Sequence, residues 1–364
     1  APPPGVARMP AHPEFVVVGQ GLAGTALAWA LVRRGRSTLV VDRGYGGSSR
    51  VAAGLVTSVT GKRLARSWRW EELYPFAARF YASVEADTGA PFFHPLPALR
   101  LFAGEAERDA LTRKWAAELS GLVWPVPGVH TGWFRAPLGG FELAAARLDV
   151  PHYLGASRAH FRSIDSYHEA ELDPRRVEFG PTGVRLPELG VEAGTLVLCR
   201  GFDAAEDPWF DGVRFRPAKG ETLTVRVPGL AEERVVHGRD VWLAPLGGGR
   251  FRAGATYSWH QFDSHPTGQG RAEIEAKLRA LLRLPFEVEG HDAAVRRIVE
   301  GHAPALGRHP AFPRLAYFNG LGSKGALLAP FFADQLAAHL CGEGEIEPAV
   351  DVNRFLVPPP PAGG

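Results

Sequence analysis

The stretch Phe15-Val-Val-Val-Gly-Gln-Gly-Leu-Ala-Gly24 predicts that the chain begins a Rossmann-type α/β fold. Its first four residues form an apolar run, typical of a strand buried on both faces of a parallel sheet. A helix from Ala23 to Arg34 and a strand from Thr38 to Val41 complete a βαβ unit. Residues Gly19 to Gly24 match G-x-G-x-x-G, whose glycines allow a tight turn, close approach of a pyrophosphate and close helix–strand packing. We therefore predict a dinucleotide site at this helix N-terminus, with a plain glycine turn as the alternative.

Asp42, at the end of the second strand, favours an adenosine ribose without a 2′-phosphate, because its carboxylate can accept hydrogen bonds from ribose hydroxyls. It does not distinguish FAD from NAD. A second glycine turn, Asn319-Gly-Leu-Gly-Ser-Lys-Gly325, separates a predicted strand, Leu315 to Phe318, from a predicted helix, Ala326 to Leu340. A ligand that touches both turns must be long or deeply enclosed, and no second Rossmann repeat lies between them, so FAD is favoured. The alternative for the second turn is a helix start made flexible by glycine.

The middle of the chain predicts helices and a second, antiparallel sheet. Short β-rich runs alternate with Pro and Gly turns between residues 219 and 259, as in antiparallel sheets. The predicted strands there are Thr222 to Val227, Val241 to Ala244 and Phe251 to Tyr257. The predicted helices lie between Glu71 and Thr88, from Ala106 to Ser120, and from an Asp149 N-cap to about His160.

The composition is that of an ordinary globular protein, with 45% hydrophobic and 22% charged residues and a formal net charge of +2 over 364 residues. So small a positive excess gives no reason to expect nucleic acid as a partner. No apolar run is long enough to predict a membrane span, and the start lacks the apolar core of a signal peptide, so we expect a cytoplasmic protein. The two cysteines, Cys199 and Cys341, match no metal-ligand spacing, so no metal site is expected.

Five segments, in order, resemble the D-amino acid oxidase and glycine oxidase (DAO) family of FAD-dependent oxidoreductases. Besides the two glycine turns, Ser48-Ser-Arg-Val-Ala-Ala-Gly-Leu55 is similar to the family's segment beneath the flavin ring. Lys219-Gly-Glu221 is similar to its step into the substrate domain, and Gly254-Ala-Thr-Tyr257 to a motif on a strand of that domain. The resemblance covers nearly the whole chain after its first residues.

The resemblance implies a Rossmann-type FAD-binding domain (GR2-like) with a discontinuous antiparallel-sheet substrate domain. We expect the FAD-binding domain over residues 13–90, 141–216 and 291–345, and the substrate domain over 91–140 and 217–290. Flexible tails are expected over 1–12 and 354–364. The residues expected to bind FAD are Gly19, Gly21, Leu22, Ala23, Gly24, Asp42, Arg43, Ser49, Arg50, Ala52, Ala53, Gly54, Leu55, Gly201, Gly320, Leu321, Gly322, Ser323, Lys324 and Gly325.

Arg296 is the residue that the resemblance places at the substrate carboxylate, counting back from Pro304-Ala-Leu-Gly307. A guanidinium suits this role because its planar fork matches two carboxylate oxygens. Ala294 stands where the family usually has glycine and Arg297 where it usually has proline. We therefore expect a reshaped loop, and the alternative for Arg296 is a solvated helix or loop residue.

The implied reaction is hydride transfer from a small amine or amino acid to flavin N5, giving an imine that water hydrolyses. Lys324 is expected to stabilise negative charge at the N1 and O2 edge of the flavin, and Tyr257 and His260 to face the substrate. The alternatives are a turn cap for Lys324, strand packing for Tyr257 and a solvated position for His260. The electron acceptor, oxygen or another molecule, is not encoded in any residue that we can identify.

Three other functions stay open. A flavin monooxygenase or halogenase would need NAD(P)H or a reductase, and we find no second nucleotide motif. A flavin-binding partner subunit without independent activity would occur in a stable hetero-complex. Oxidation of a modified tRNA nucleoside would favour a broad basic surface, against which the near-neutral charge argues.

Overall fold

The computed structural model describes residues 10, 12–126, 128–301 and 303–356, with residues 205 and 206 described by their backbone only. In chain order the strands are β1 (Phe15–Val18), β2 (Thr38–Asp42), β3 (Leu55–Thr57), β4 (Val59–Thr60), β5 (Ala65–Arg66), β6 (Phe93–His94), β7 (Ala98–Leu101), β8 (Val123–Pro125), β9 (Gly140–Leu143), β10 (Ala145–Leu148), β11 (Tyr167–Glu169), β12 (Glu178–Phe179), β13 (Val184–Leu186), β14 (Val191–Ala193), β15 (Thr195–Leu198), β16 (Phe215–Arg226), β17 (Val236–His237), β18 (Trp242–Gly247), β19 (Arg250–Gly254), β20 (Glu287–Val299), β21 (Ala305–Arg308) and β22 (Leu315–Asn319). The helices are α1 (Leu22–Arg33), α2 (Ser48–Val51), α3 (Trp70–Thr88), α4 (Glu105–Lys114), α5 (Val150–Ser163), α6 (Gly268–Leu281), α7 (Gly325–Leu340) and α8 (Asn353–Leu356), with short 3-10 helices at Pro174–Arg176, Pro187–Leu189 and Gly201–Glu206.

The first sheet has six strands in the order β11-β2-β1-β15-β22-β21. Its first five strands are parallel, and β21 pairs antiparallel with β22 at one edge. Alternate side chains of β1 belong to different cores: Val17 packs with α1 and α7, whereas Val16 packs with residues of β13 and β14. Both faces of the sheet are therefore covered, which explains why its strands are apolar without alternation. The predicted Rossmann-type fold is confirmed.

The second sheet has eight strands in the order β20-β16-β19-β18-β17-β7-β9-β8. The long strands β16 and β20 pair antiparallel from Phe215↔Val299 to Arg226↔Glu287, and α6 buries Ile274 and Leu278 against this sheet. The predicted sheet-rich second part of the fold is confirmed. Strand β20 belongs to this sheet along its whole length and so crosses the expected boundary at residue 290; the division into domains stays a prediction.

Several expected element boundaries differ from those observed. The helix predicted from Ala106 to Ser120 ends at Lys114; beyond it, the Leu119 amide bonds back to the Lys114 carbonyl and Gly121 turns the chain at φ 73°. The strand predicted from Phe251 to Tyr257 ends at Gly254. The predicted N-cap is confirmed, since the Asp149 carboxylate accepts a hydrogen bond from the His152 amide.

The expected flexible tails lie mostly outside the described residues. Residues 354–356, which were included in the second tail, form the end of α8 instead, and the Arg354 guanidinium donates to the Ala303 carbonyl. Among the described residues, no helix combines the length and apolar character needed to cross a membrane.

Candidate active site

The glycine turn between β1 and α1 has the geometry of an anion site. Gly19 has φ 102°, and a Cβ on Gly24 would lie 1.8 Å from the Gly19 carbonyl oxygen, so neither position tolerates a side chain without movement. Helix α1 begins at Leu22 with no side-chain cap and no acidic residue in its first turn. The Leu22 amide donates to Ser49 Oγ at 3.1 Å. The helix N-terminus therefore presents N–H groups and a hydroxyl, the donor set that a pyrophosphate requires.

Asp42 lies beside this turn, at the end of β2. Its carboxylate accepts hydrogen bonds from the amides of Gln20 and Gly44, both at 2.8 Å, and Arg50 Nη2 lies 3.4 Å from it. These bonds fix the carboxylate at the carboxyl end of the parallel strands, where open α/β sheets bind their ligands.

A cavity of about 550 Å³ brings the two glycine turns and the Ser48–Leu55 segment together with residues of the second sheet. The expected site residues that line it are Gly21, Leu22, Ala23, Ser49, Ala52, Ala53, Gly54, Leu55, Gly201, Tyr257, Arg296, Leu321, Gly322, Ser323, Lys324 and Gly325. Both turns therefore face one space, as expected for a long cofactor, although they are about 300 residues apart in sequence.

Other expected site residues lie behind the cavity wall or away from it. Gly19, Gly24 and Gly320 do not line the cavity but allow close packing of the chain behind it. At Gly320, for example, a Cβ would lie 2.1 Å from Val299 Cγ2. Arg43 pairs with Asp203 at 3.0 Å. Asp42, Arg43 and Arg50 are not part of the lining either.

His260 is exposed and does not line the cavity, so the structure does not bring it to the other three expected catalytic residues. The chain turns away from the cavity after Tyr257. This outcome matches the solvated alternative for the imidazole.

Arg296 is on strand β20, and the expected reshaped loop is not observed. Ala294 and Arg296 pair with Gly220 and Ala218 of β16, so the substitutions relative to the family pattern leave a continuous strand. Arg296 Nη1 donates to the Tyr257 hydroxyl at 3.2 Å, and its guanidinium carbon lies 4.5 Å from the centre of that ring. Arg296 Nη2 is buried and has no hydrogen-bond partner among the described residues. A buried donor of this kind needs an acceptor, which a bound carboxylate would supply.

Lys324 ends the second glycine turn, immediately before α7. Its side chain forms no hydrogen bond or ion pair with the described residues, and burial lowers the pKa of its ammonium. Helix α7 has no acidic residue in its first turn. The amine and the helix N-terminus together give this wall of the cavity a positive electrostatic character.

Several lining residues were not predicted. They include Phe202, Gly220, Thr222, His237, Trp242 and Asn319. Asn319 and Phe202 adjoin predicted glycine positions and could have been found from that proximity. His237 and Trp242 reach the cavity because β17 and β18 pair with each other, and this register has no sequence motif. Burial lowers the pKa of His237 to about 4, with the Arg100 charge adding to the effect, so its imidazole is neutral at pH 7.

A cavity lined by two glycine turns, between a Rossmann-type sheet and a second, largely antiparallel sheet, is typical of proteins that bind a dinucleotide. The family model "FAD dependent oxidoreductase" (DAO) matches residues 14–339. The chain belongs to this family, its cofactor is FAD, and the predicted resemblance is confirmed.

Individual relatives are distant. The "tRNA 5-methylaminomethyl-2-thiouridine biosynthesis bifunctional protein MnmC" of Hahella chejuensis is 25% identical over 387 aligned residues, covering 95% of this chain but 59% of that protein. The chain thus spans little more than half the length of that relative. Glycine oxidase of Bacillus licheniformis is 23% identical, covering 90% of this chain and 93% of that enzyme. The crystal structure of glycine oxidase from Bacillus cereus has a TM-score of 0.77 at 20% identity, covering 93% of this chain and 99% of that one, which shows a shared fold.

Proposed function

We propose that this oxidoreductase oxidises a small amine or amino acid that carries a carboxylate, and that Arg296 binds this carboxylate. The observation that carries the proposal is the buried, unpartnered Nη2 of Arg296, a residue that lines the same cavity as both glycine turns. Tyr257 supports the role, because its hydroxyl occupies Nη1 and its ring lies against the guanidinium. Nη2 is therefore the donor of Arg296 that a substrate carboxylate would engage on binding.

The residues around the cavity divide into cofactor and substrate groups. The glycine turn at α1, Ser49 and Asp42 would hold the pyrophosphate and adenosine ribose, and the turn before α7 would hold the flavin end. When bound, FAD supplies the hydride acceptor. Lys324 would place a positive charge beside the ring, and Arg296 would orient the substrate so that its α-carbon faces the cofactor. The neutral His237 can exchange a hydrogen bond without adding a charge to the cavity.

The test is anaerobic mixing of the purified holoenzyme with a panel of amino acids and N-alkylated glycines, without NAD(P)H. We expect loss of the oxidised-flavin absorbance with at least one carboxylated amine. Reduction by NAD(P)H alone would instead support a monooxygenase or halogenase. A colourless protein that cannot be reconstituted with FAD would contradict the assignment of FAD as the cofactor.

A second candidate substrate is an amine attached to a tRNA nucleoside. Two observations favour it: several relatives are named for tRNA 5-methylaminomethyl-2-thiouridine biosynthesis, and the aromatic rings of Tyr257 and Trp259 are exposed and stacked beside the cavity. Exposed aromatic rings can stack on unpaired bases. Adding undermodified bulk tRNA to the same anaerobic assay separates the candidates, since only a nucleoside substrate would bleach the flavin with tRNA and not with free amino acids.

A further inference from the structure

The segment Lys219-Gly220-Glu221 on β16 holds two charged side chains in the protein interior. Lys219 is 1% exposed and Glu221 is 4% exposed. Charged groups are rarely buried so fully unless they are paired and hydrogen-bonded, because their desolvation is costly. The proposed chemistry uses neither of them, so their burial needs another explanation.

Gly220 lies against the guanidinium of Arg296. A Cβ at this position would lie 2.7 Å from Arg296 Nη2 and 3.3 Å from the Thr256 carbonyl oxygen. Because Arg296 pairs with Ala218, Gly220 is its diagonal neighbour on the same face of the sheet. A side chain at position 220 would therefore displace the guanidinium of Arg296, whereas glycine leaves room for it.

Lys219 and Glu221 alternate with Gly220 along the strand, so they project from the opposite face. There they hold the loop of residues 255–267, here called the rim segment. Lys219 Nζ pairs with Asp263 Oδ1 at 2.8 Å. The two carboxylate oxygens of Glu221 accept hydrogen bonds from the Thr267 amide and hydroxyl, each at 2.8 Å.

The backbone gives the same strand a further hold on the rim segment. The amide of Lys219 donates to the Ser258 carbonyl and the Ser258 amide donates to the Lys219 carbonyl, each at 2.9 Å. The Glu221 amide donates to Thr256 Oγ1 at 3.0 Å. The rim segment is thus fixed on both sides of Tyr257 and again near its end, while Trp259 and Phe262 between these points are exposed.

We propose that Lys219-Gly220-Glu221 is the element that positions Arg296. Gly220 makes room for the guanidinium, and Lys219 and Glu221 fix the rim segment, whose Tyr257 packs against the guanidinium. The expected effect of this segment on substrate affinity rests on the proposed function, in which Arg296 binds the substrate carboxylate. Lys219 and Glu221 are positioning residues, since they act through Tyr257 and do not reach the cavity.

Lys219→Met and Gly220→Ala test this inference, with Lys277→Met as the matched control. Methionine fills the space of Lys219 without a buried charge, and Asp263, which is 47% exposed on its side chain, remains solvated when it loses its partner. Lys277 forms an ion pair with Glu273 on the surface of α6, away from the rim segment. Loss of that pair is expected to change little.

The first measurement is the affinity of the FAD-loaded proteins for benzoate, followed by the perturbation of flavin absorbance. We expect the Kd to rise at least tenfold in Lys219→Met and Gly220→Ala and to stay within twofold in Lys277→Met. With an active substrate, KM should rise by more than kcat falls, because the variants disturb binding of the carboxylate. Lys219→Arg, which keeps the charge, should recover part of the affinity.

The second measurement is chymotrypsin cleavage after Tyr257, Trp259 and Phe262, mapped by mass spectrometry. We expect Lys219→Met to be cut there several times faster than wild type and Lys277→Met to be cut at the wild-type rate. Unchanged cleavage in Lys219→Met would overturn the inference. If wild-type protein does not bind benzoate, the carboxylate role of Arg296 fails, whereas faster cleavage in Lys219→Met would still support its hold on the rim segment.

Discussion

Arg296 is the residue on which the proposed substrate class depends. Its Nη1 is already bonded to Tyr257, whereas Nη2 is buried without a partner among the described residues. Hydrogen bonds to a charged group contribute about 1.5 to 3 kcal/mol, more than neutral ones. The guanidinium should therefore discriminate strongly between substrates that carry a carboxylate and those that lack it.

Replacing Arg296 with methionine should lower kcat/KM for a carboxylated amine by about 10- to 10²-fold, because the charge-assisted hydrogen bond from Nη2 to the carboxylate is lost. The matching amine without a carboxylate should react at nearly the wild-type rate. Steady-state kinetics with the two substrates measures both effects. Arg216→Met is the control, since Arg216 pairs with Glu300 on the surface and is 72% exposed on its side chain. Equal losses for both substrates would contradict the carboxylate role.

Residues of the cofactor site were predictable where local chain geometry places them. Gly19, Gly24 and Asp42 lie within one βαβ unit, so their spacing in sequence determines their spacing in space. Trp242 and Thr222 come to the cavity through pairing of β16, β18 and β19, in which both residues face Gly254. This register depends on long-range packing, and no local pattern encodes it.

At the scale of secondary-structure elements, the close packing of α1 on β1 gives a specific prediction, because it depends on the absence of a side chain at Gly24. The methyl group of Gly24→Ala would meet the Gly19 carbonyl at 1.8 Å, so the turn must open. We expect the affinity for FAD to fall at least tenfold, by an amount set by how far the amides move from the pyrophosphate. Titration of the apoprotein with FAD, followed by flavin fluorescence, measures the change.

Gly155→Ala is the matched control for that variant. Gly155 lies inside α5, and a Cβ there would meet no atom within 4 Å. Alanine has a higher helix propensity by about 1 kcal/mol, so the free energy of unfolding should rise slightly and FAD affinity should not change. A similar loss of FAD affinity in both variants would mean that the effect does not come from the glycine turn.

Element types were easier to predict than element ends. Helix α4 buries only Leu111 along its length, so little apolar packing holds its C-terminal part in the helical conformation, and it stops at Lys114. The two differences from the family pattern, at Ala294 and Arg297, predict a reshaped loop at that point, but both residues belong to strand β20. Its pairing with β16 over the whole interval tolerates both, since Arg297 extends over the rings of Phe202 and Phe215.

At the scale of the whole molecule, the cavity exists because two sheets meet at the carboxyl ends of the parallel strands. The parallel strand β15 lies between β1 and β22 and pairs with both, although β1 and β22 are near opposite ends of the sequence. This arrangement brings the glycine turns that follow β1 and β22 to the same edge of the sheet. The two glycine turns predict this shared edge from the sequence. They do not predict the part of the cavity wall that β17 and β18 form, because that part depends on strand pairing in the second sheet.

His237, in that wall, links the cavity to the acid stability of the whole protein. Its folded-state pKa of about 4 lies below the usual value near 6.5, so between these values the unfolded chain binds a proton that the folded protein does not. The free energy of unfolding should therefore fall by about 2 to 3 kcal/mol between pH 7 and pH 4.5 on account of this residue. Well above pH 6.5 the group is neutral in both states and has no such effect.

His237→Gln should remove this part of the pH dependence, because glutamine fills a similar space and does not titrate. Urea unfolding of both proteins at pH 7 and pH 4.5, at a fixed excess of FAD, gives the four free energies needed. His94 and His309, whose pKa values burial also lowers, are present in both proteins and cancel in the difference. If the variant loses as much stability on acidification as the wild type, His237 is already protonated or solvated in the folded state. It could then not serve as the neutral hydrogen-bonding group proposed for the cavity.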